Sequence, residues 1–121
     1  MQSIQFEGCE LKPYAEPVQV HELRKGSVYF AVQYADRAML TPIVETLVFI
    51  ERSGNPDEGR VLFQTIDSYN EGVQYDSAVG DQLNAFRDQP EKQLNHIFDY
   101  EHALKELIKC ALRRNRSFGR E

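Results

Sequence analysis

From Val28 to Tyr34 the chain alternates. Val28, Phe30, Val32 and Tyr34 fall on one side of an extended backbone, and Tyr29, Ala31 and Gln33 fall on the other. That period of two becomes a continuous face only in a strand. After Asp99 the rhythm changes: Ala103, Leu104, Leu107, Ile108, Ala111 and Leu112 recur at spacings of three and four, which on a helix draws one apolar stripe. A sheet in the middle of the chain and a helix at its end, each with an oily side to hide, predict an α+β fold.

The other segments fit around these two. Ile43–Glu51 reads as a second strand with apolar residues on both faces, Leu47 and Phe49 against Val44, Val48 and Ile50, which suits a central strand. Pro42 belongs at its boundary, since proline donates nothing to a ladder. A third strand is expected over Arg60–Asp67, joined to the second through Ser53–Gly59, whose Gly54, Asn55, Pro56, Asp57 and Gly59 are turn formers, in a hairpin with a mobile tip. Val20–Lys25 predicts one helical turn, stopped by Gly26. Ser68 and Glu71 have capping-box spacing, but Gly72 limits that segment to a single turn. Between Val73 and Gln89 the pattern is ambiguous, with candidate strands at Val73–Tyr75 and Leu83–Arg87, and a short strand is expected near Ile4–Phe6. Asp99 makes a good N-cap for a helix spanning residues 99–114, with Glu101 at its start and Lys105, Lys109, Arg113 and Arg114 towards its end complementing the helix dipole. The prediction is a small antiparallel meander packed against a C-terminal helix, able to close into an SH3-like barrel if strongly bent. Residues 1–121 form one domain in this reading, with 1–19 an irregular arm and 115–121 a flexible basic tail.

Charge and cysteine usage narrow the functional classes. The net charge of −5 is unevenly spread. Residues 113–121 hold Arg113, Arg114, Arg116 and Arg120 against Glu121, a surplus of three, so residues 1–112 carry −8. An acidic body disfavours nucleic acid and anionic lipid, although the basic tail with Lys105 and Lys109 is the place where RNA or DNA would touch. The longest apolar run, Leu47–Ile50, is far too short to cross a bilayer. Met1–Cys9 lacks the basic start and apolar stretch of a secretory signal, so the expected address is cytoplasmic. Cys9 and Cys110 stand far apart without a CxxC partner. Cys110 reads as a small core residue and Cys9 as an ordinary thiol.

No GxxxxGK, GxGxxG or GxSxG stretch occurs, and His21–Glu22 lacks the second histidine of a zinc-protease helix. Asn115-Arg116-Ser117 spells a glycosylation acceptor that a cytoplasmic chain would never use. His96, Asp99 and His102 recur every three residues and could in principle ligate zinc or iron. An N-cap at Asp99, however, breaks the helix between the two histidines, so no metal or cofactor is expected. Glu45 stands in an apolar strand, where desolvation would suit it to proton transfer. Glu51 and Asp67 could neighbour each other across the ladder as paired carboxylates.

Six tyrosines and seven phenylalanines accompany an absence of tryptophan. Tyr14, Tyr29, Tyr34, Tyr69 and Tyr75 cluster around the strands and their connections and could line a recognition groove, because tyrosine offers apolar area with a polar tip. The expectation is a noncatalytic protein-binding or regulatory module of accessory or toxin-neutralising type. Its contact residues would be Tyr29, Tyr34, Tyr69, Tyr75 and Glu45, and its partner would be a protein, plausibly a basic one. The alternative is a small hydrolase or isomerase using strand carboxylates. A homodimer is also expected, because Ile43–Ile50 and the helix stripe together offer more apolar surface than one sheet covers.

Overall fold

The computed structural model describes residues 2–5, 8, 10–54 and 58–117. Its centre is a five-stranded antiparallel sheet: β1 (Val28–Tyr34), β2 (Pro42–Ser53), β3 (Arg60–Thr65), β4 (Phe86–Pro90) and β5 (Ile97–Phe98). The strand order is β4-β3-β2-β1-β5, so the first four form a meander and β5 returns to the free side of β1. Two helices complete the fold, α1 (Ile66–Asn70) and α2 (Tyr100–Ser117). β4 and β5 end up at opposite edges, and the sheet stays open rather than closing into a barrel.

The alternation in β1 sorts the two faces. Tyr29 and Ala31 point to the side where Leu47, Phe49, Val61, Phe63 and Ile97 bury themselves with Val18 and Leu94. Val32 points to the other side, where Phe98 and Ala103 of α2 pack with Phe30 and Tyr34 along the edge. At β2 both faces are apolar, as expected of a central strand, and Leu47 and Val48 are almost completely buried. The helical turn expected over Val20–Lys25 is shorter, a 3-10 turn Val20–Glu22 that ends at the extended Leu23; the left-handed Gly26 (φ 79°) belongs instead to the following turn, closed by Ser27 N–H to Arg24 O, and its own N–H donates to Phe49 O at 2.9 Å, tying the start of β1 to β2.

Four further expectations change. Gln2–Gln5 are not in a strand and Ile4 is exposed, while Phe6 lies outside the described residues. β3 ends at Thr65, two residues early, and α1 starts at Ile66, so Ser68 lies inside the turn and no capping box forms. Val73–Tyr75 is not a strand, because Tyr75–Ser77 and Gly80–Ala85 are 3-10 turns, and the strand expected at Leu83–Arg87 forms instead over Phe86–Pro90. The hairpin tip expected between Ser53 and Gly59 includes residues 55–57, which lie outside the described residues, as does Cys9.

The fourth change concerns α2. It is capped by Asp99 and runs to Ser117, three residues past its expected end; residues 118–121 lie outside the described ones. Ala103 and Cys110 are buried, but Leu104, Ala111 and Leu112 are exposed and Leu107 and Ile108 half-buried. The stripe is turned partly away from the sheet. Polar contacts set this rotation. Lys109 Nζ donates to the carbonyls of Lys12 and Tyr14, and Arg113 Nε and an Arg114 guanidinium nitrogen donate to Met39 O and Leu40 O. These bonds tie one flank of the helix to the arm and to the β1–β2 connection, while Leu104 and Leu112 face solvent. No helix among the described residues is long and apolar enough to cross a membrane.

Candidate functional site

The tyrosines singled out by the sequence occupy separate places. Tyr29 is a core residue at 6% exposure, its ring edge-on to Phe63. Its hydroxyl accepts from Arg24 N–H (2.9 Å) and donates to Glu22 O (3.4 Å), so its polar tip pins the segment between the 3-10 turn and β1. Tyr34 lies on the opposite face, with the Arg113 guanidinium carbon 5.3 Å from its ring centroid. Its hydroxyl is buried with no hydrogen-bond partner among the described residues. Tyr14 is exposed on the arm. Only Tyr69 and Tyr75 come together.

The strand carboxylates are likewise separated. Glu45 pairs with Ala31 and shares the face of Leu47 and Phe49. A β-bulge between Phe49 and Glu51 then shifts the register so that Glu51 opposes Leu62. Without the bulge Glu45 and Glu51 would lie on one face, but the extra residue puts Glu51 on the other. Glu45 is held by Arg87 of β4 in a two-pronged ion pair (2.8 and 3.1 Å), with both side chains a little over one-third exposed. Asp67 is exposed on α1. No paired-carboxylate geometry arises from these three.

Asp99 acts as the expected cap: its Oδ1 accepts from His102 N–H (2.9 Å) and lies 2.8 Å from His102 Nδ1. His96 is half-buried before β5, and burial lowers its pKa, favouring the neutral ring. Among the described residues no three His, Cys, Asp or Glu side chains converge as a metal-holding group.

The strongest site lies elsewhere, on the connection between β3 and β4. A pocket of about 390 Å³ opens there, lined by Ile50, Glu51, Gln64, Tyr69 and Tyr75 together with the turn Gly72–Asp76. Its walls have identifiable causes. Gly72 takes the left-handed conformation (φ 82°) that terminates α1, its N–H donating to Tyr69 O. Gln64, 2% exposed, donates through Nε2 to Ser68 Oγ and Val73 O, both at 2.8 Å, stapling the turn onto the sheet. Tyr75 stands edge-on against Phe86 at 5.1 Å. Glu51, which the bulge sends to this face, completes the rim.

The electrostatics of this connection are one-sided. Residues 61–86 contain Asp67, Glu71, Asp76 and Asp81 and no lysine, arginine or histidine. Several acids elsewhere find cations: Glu45 with Arg87, Glu91 with Arg52, Asp88 with Arg60, Glu106 with Lys109. Along the connection none of the four carboxylates has an ion-pair partner among the described residues, and neither has Glu51. Large apolar side chains are exposed beside them: Tyr69 (42%), Tyr75 (46%), Val79 (70%) and Leu83 (47%). The cation-free window was visible in the sequence and is the signal that marks this stretch. Gln64 and Val73 carried no such mark, because their roles depend on the fold.

Comparison with protein-family models, with curated proteins and with solved structures finds no match for this chain.

Proposed function

We propose that the protein is a noncatalytic binding module, of accessory, regulatory or toxin-neutralising type, that engages a basic protein partner through the β3–β4 connection. The observation carrying this reading is the coincidence, on one stretch, of unpaired acids with exposed Tyr69, Tyr75, Val79 and Leu83. Buried aromatic and aliphatic anchors supply affinity, and a surrounding field of one sign supplies steering and selects against partners of like charge. Length supports it too. Twenty residues separate β3 from β4 and hold only short helices of three to six residues, and connections longer than about 12–15 residues without substantial regular structure are commonly functional.

A photo-crosslinking residue in place of Val79, activated in the native cell, tests the reading. The expected product is a discrete adduct with a protein of net positive charge, lost when Asp67, Glu71, Asp76 and Asp81 are changed together to their amides. An adduct indifferent to those changes would remove the proposal. Turnover in a substrate screen without any adduct would favour the hydrolase or isomerase reading, against which the opposed faces of Glu45 and Glu51 already count.

Self-association is a second reading, favoured by one observation: Tyr100, Leu104 and Leu112 of α2 and Val44 of β2 are all exposed. A second copy could cover them.

A further inference from the structure

We infer that the pocket between β2–β3 and the Gly72–Asp76 turn receives an arginine side chain of the partner, an assignment that rests on the binding role proposed above. The charged residues lining it are Glu51 and Asp76, both acidic, both exposed and neither ion-paired among the described residues. An anion is repelled from such a rim. A wholly apolar group would desolvate the carboxylates without giving them a partner, which is costly. A cation with flat, weakly hydrated faces satisfies both features of the lining: its charge answers the two acids, and its faces lie against Tyr69, Tyr75, Ile50 and Val73. The guanidinium group fits that description. The ammonium of lysine, a compact and strongly hydrated point charge, fits it less well.

The pocket is also built before any ligand arrives. Gln64 fixes Val73 from below, Phe86 fixes the Tyr75 ring, and the left-handed Gly72 sets the turn between them. A partner residue would therefore enter a shaped site without having to order it, and preorganisation of this kind is what converts a small contact area into affinity. The volume, about 390 Å³, lies near the lower end of the roughly 300–1,000 Å³ typical of ligand pockets.

The test is a titration of the whole protein with the capped peptide Gly-Gly-Arg-Gly-Gly, alongside the same peptide carrying citrulline or lysine. It is followed by the amide resonances of Gly72, Val73 and Gln74 and the side-chain amide of Gln64. The arginine peptide should shift these signals in a saturable way, the lysine peptide should bind more weakly and the uncharged citrulline peptide should not bind. The variant carrying Glu51→Gln and Asp76→Asn should weaken the arginine peptide by at least about fivefold, while Glu101→Gln, exposed on α2 and remote from the pocket lining, should not. Equal binding of citrulline or lysine, an unaffected double variant, or no shift at millimolar peptide would each overturn the assignment. If the arginine peptide fails while the Val79 adduct persists, the pocket assignment falls and the binding role stands; if both fail, both fall.

Discussion

Arg87 of β4 reaches past the end of β3 to grip the Glu45 carboxylate of β2, with guanidinium nitrogens 2.8 and 3.1 Å from its two oxygens. The pair bridges two strands that do not touch in the ladder, so it ties the edge strand to the centre of the sheet. Both side chains retain over one-third of their exposure, and solvent therefore screens the attraction. Glu45→Gln and Arg87→Gln should each destabilise by less than about 1 kcal/mol, with a coupling of about 0.5 kcal/mol in the double-mutant cycle by urea unfolding. A role in binding or chemistry would show itself as a loss of partner adduct or turnover out of proportion to that small change.

Gln64 is a different case, because nothing screens it. Its amide is the donor for both Ser68 Oγ and Val73 O, and Gln64→Leu would leave a buried hydroxyl and a part-buried carbonyl without that partner. The expected cost is about 1–3 kcal/mol. Hydrogen exchange should accelerate most over residues 71–77, because the staple holds that turn while α1 keeps its own backbone bonds. A uniform acceleration across the sheet would show that Gln64 supports the whole fold instead of the turn.

How far these features could be read in advance depends on whether their causes are local. The alternation of Val28–Tyr34 and the double-sided Ile43–Ile50 are local patterns, and they became β1 and β2. The bulge at Ile50 was not legible, since it is defined by how Phe49 and Glu51 pair with Phe63 and Leu62 of another strand. The stripe on α2 announced a helix but not its rotation, which Lys109, Arg113 and Arg114 set by reaching carbonyls 74 or more residues away in sequence. Tyr29 and Tyr75 are the same residue type, yet one pins the core and the other lines the pocket. Composition could nominate both but could not choose between them.

Gly59 and Glu91 give a prediction whose sign depends on background. A Cβ at Gly59 would stand 1.7 Å from Glu91 Oε2, in the place where that carboxylate is gripped by Arg52 at 2.7 and 2.9 Å. The Glu91 hydrogen bond also raises the Arg52 pKa further. Gly59→Ala should therefore expel the Glu91 side chain, break the ion pair and destabilise the protein. In a Glu91→Ala background the obstacle is gone. The backbone at Gly59 is not left-handed, so the same substitution should then stabilise by about 0.4–1 kcal/mol through the unfolded state. Thermal unfolding of the four variants reads this reversal directly, and additivity would refute it.

Leu104 on α2 is half exposed. Leu104→Glu should change monomer stability by no more than about 0.5 kcal/mol, as surface substitutions generally do. Light scattering of the wild type at high concentration should exceed the 14.0 kDa monomer mass and should return to it in the variant. A wild-type mass that stays at the monomer value would dismiss self-association through this face.

His96 supplies the pH dependence. Burial lowers its pKa below the ordinary 6.5, so the folded protein binds the proton less readily than the unfolded chain does. Well above 6.5 neither state is protonated at this ring and the residue contributes no slope. As the pH falls through that value the unfolded chain takes up the proton first, and stability declines until the folded-state pKa is passed; below it the penalty is constant. The sign is the opposite of a histidine held charged by a carboxylate, for which acid would stabilise. His96→Gln removes the titrating ring, so subtracting its stability from that of the wild type, pH by pH, should leave a curve that is flat well above 6.5 and falls below it. A difference that instead rises on acidification would mean that His96 is charged in the fold, and its assignment as a neutral, half-buried ring before β5 would be wrong.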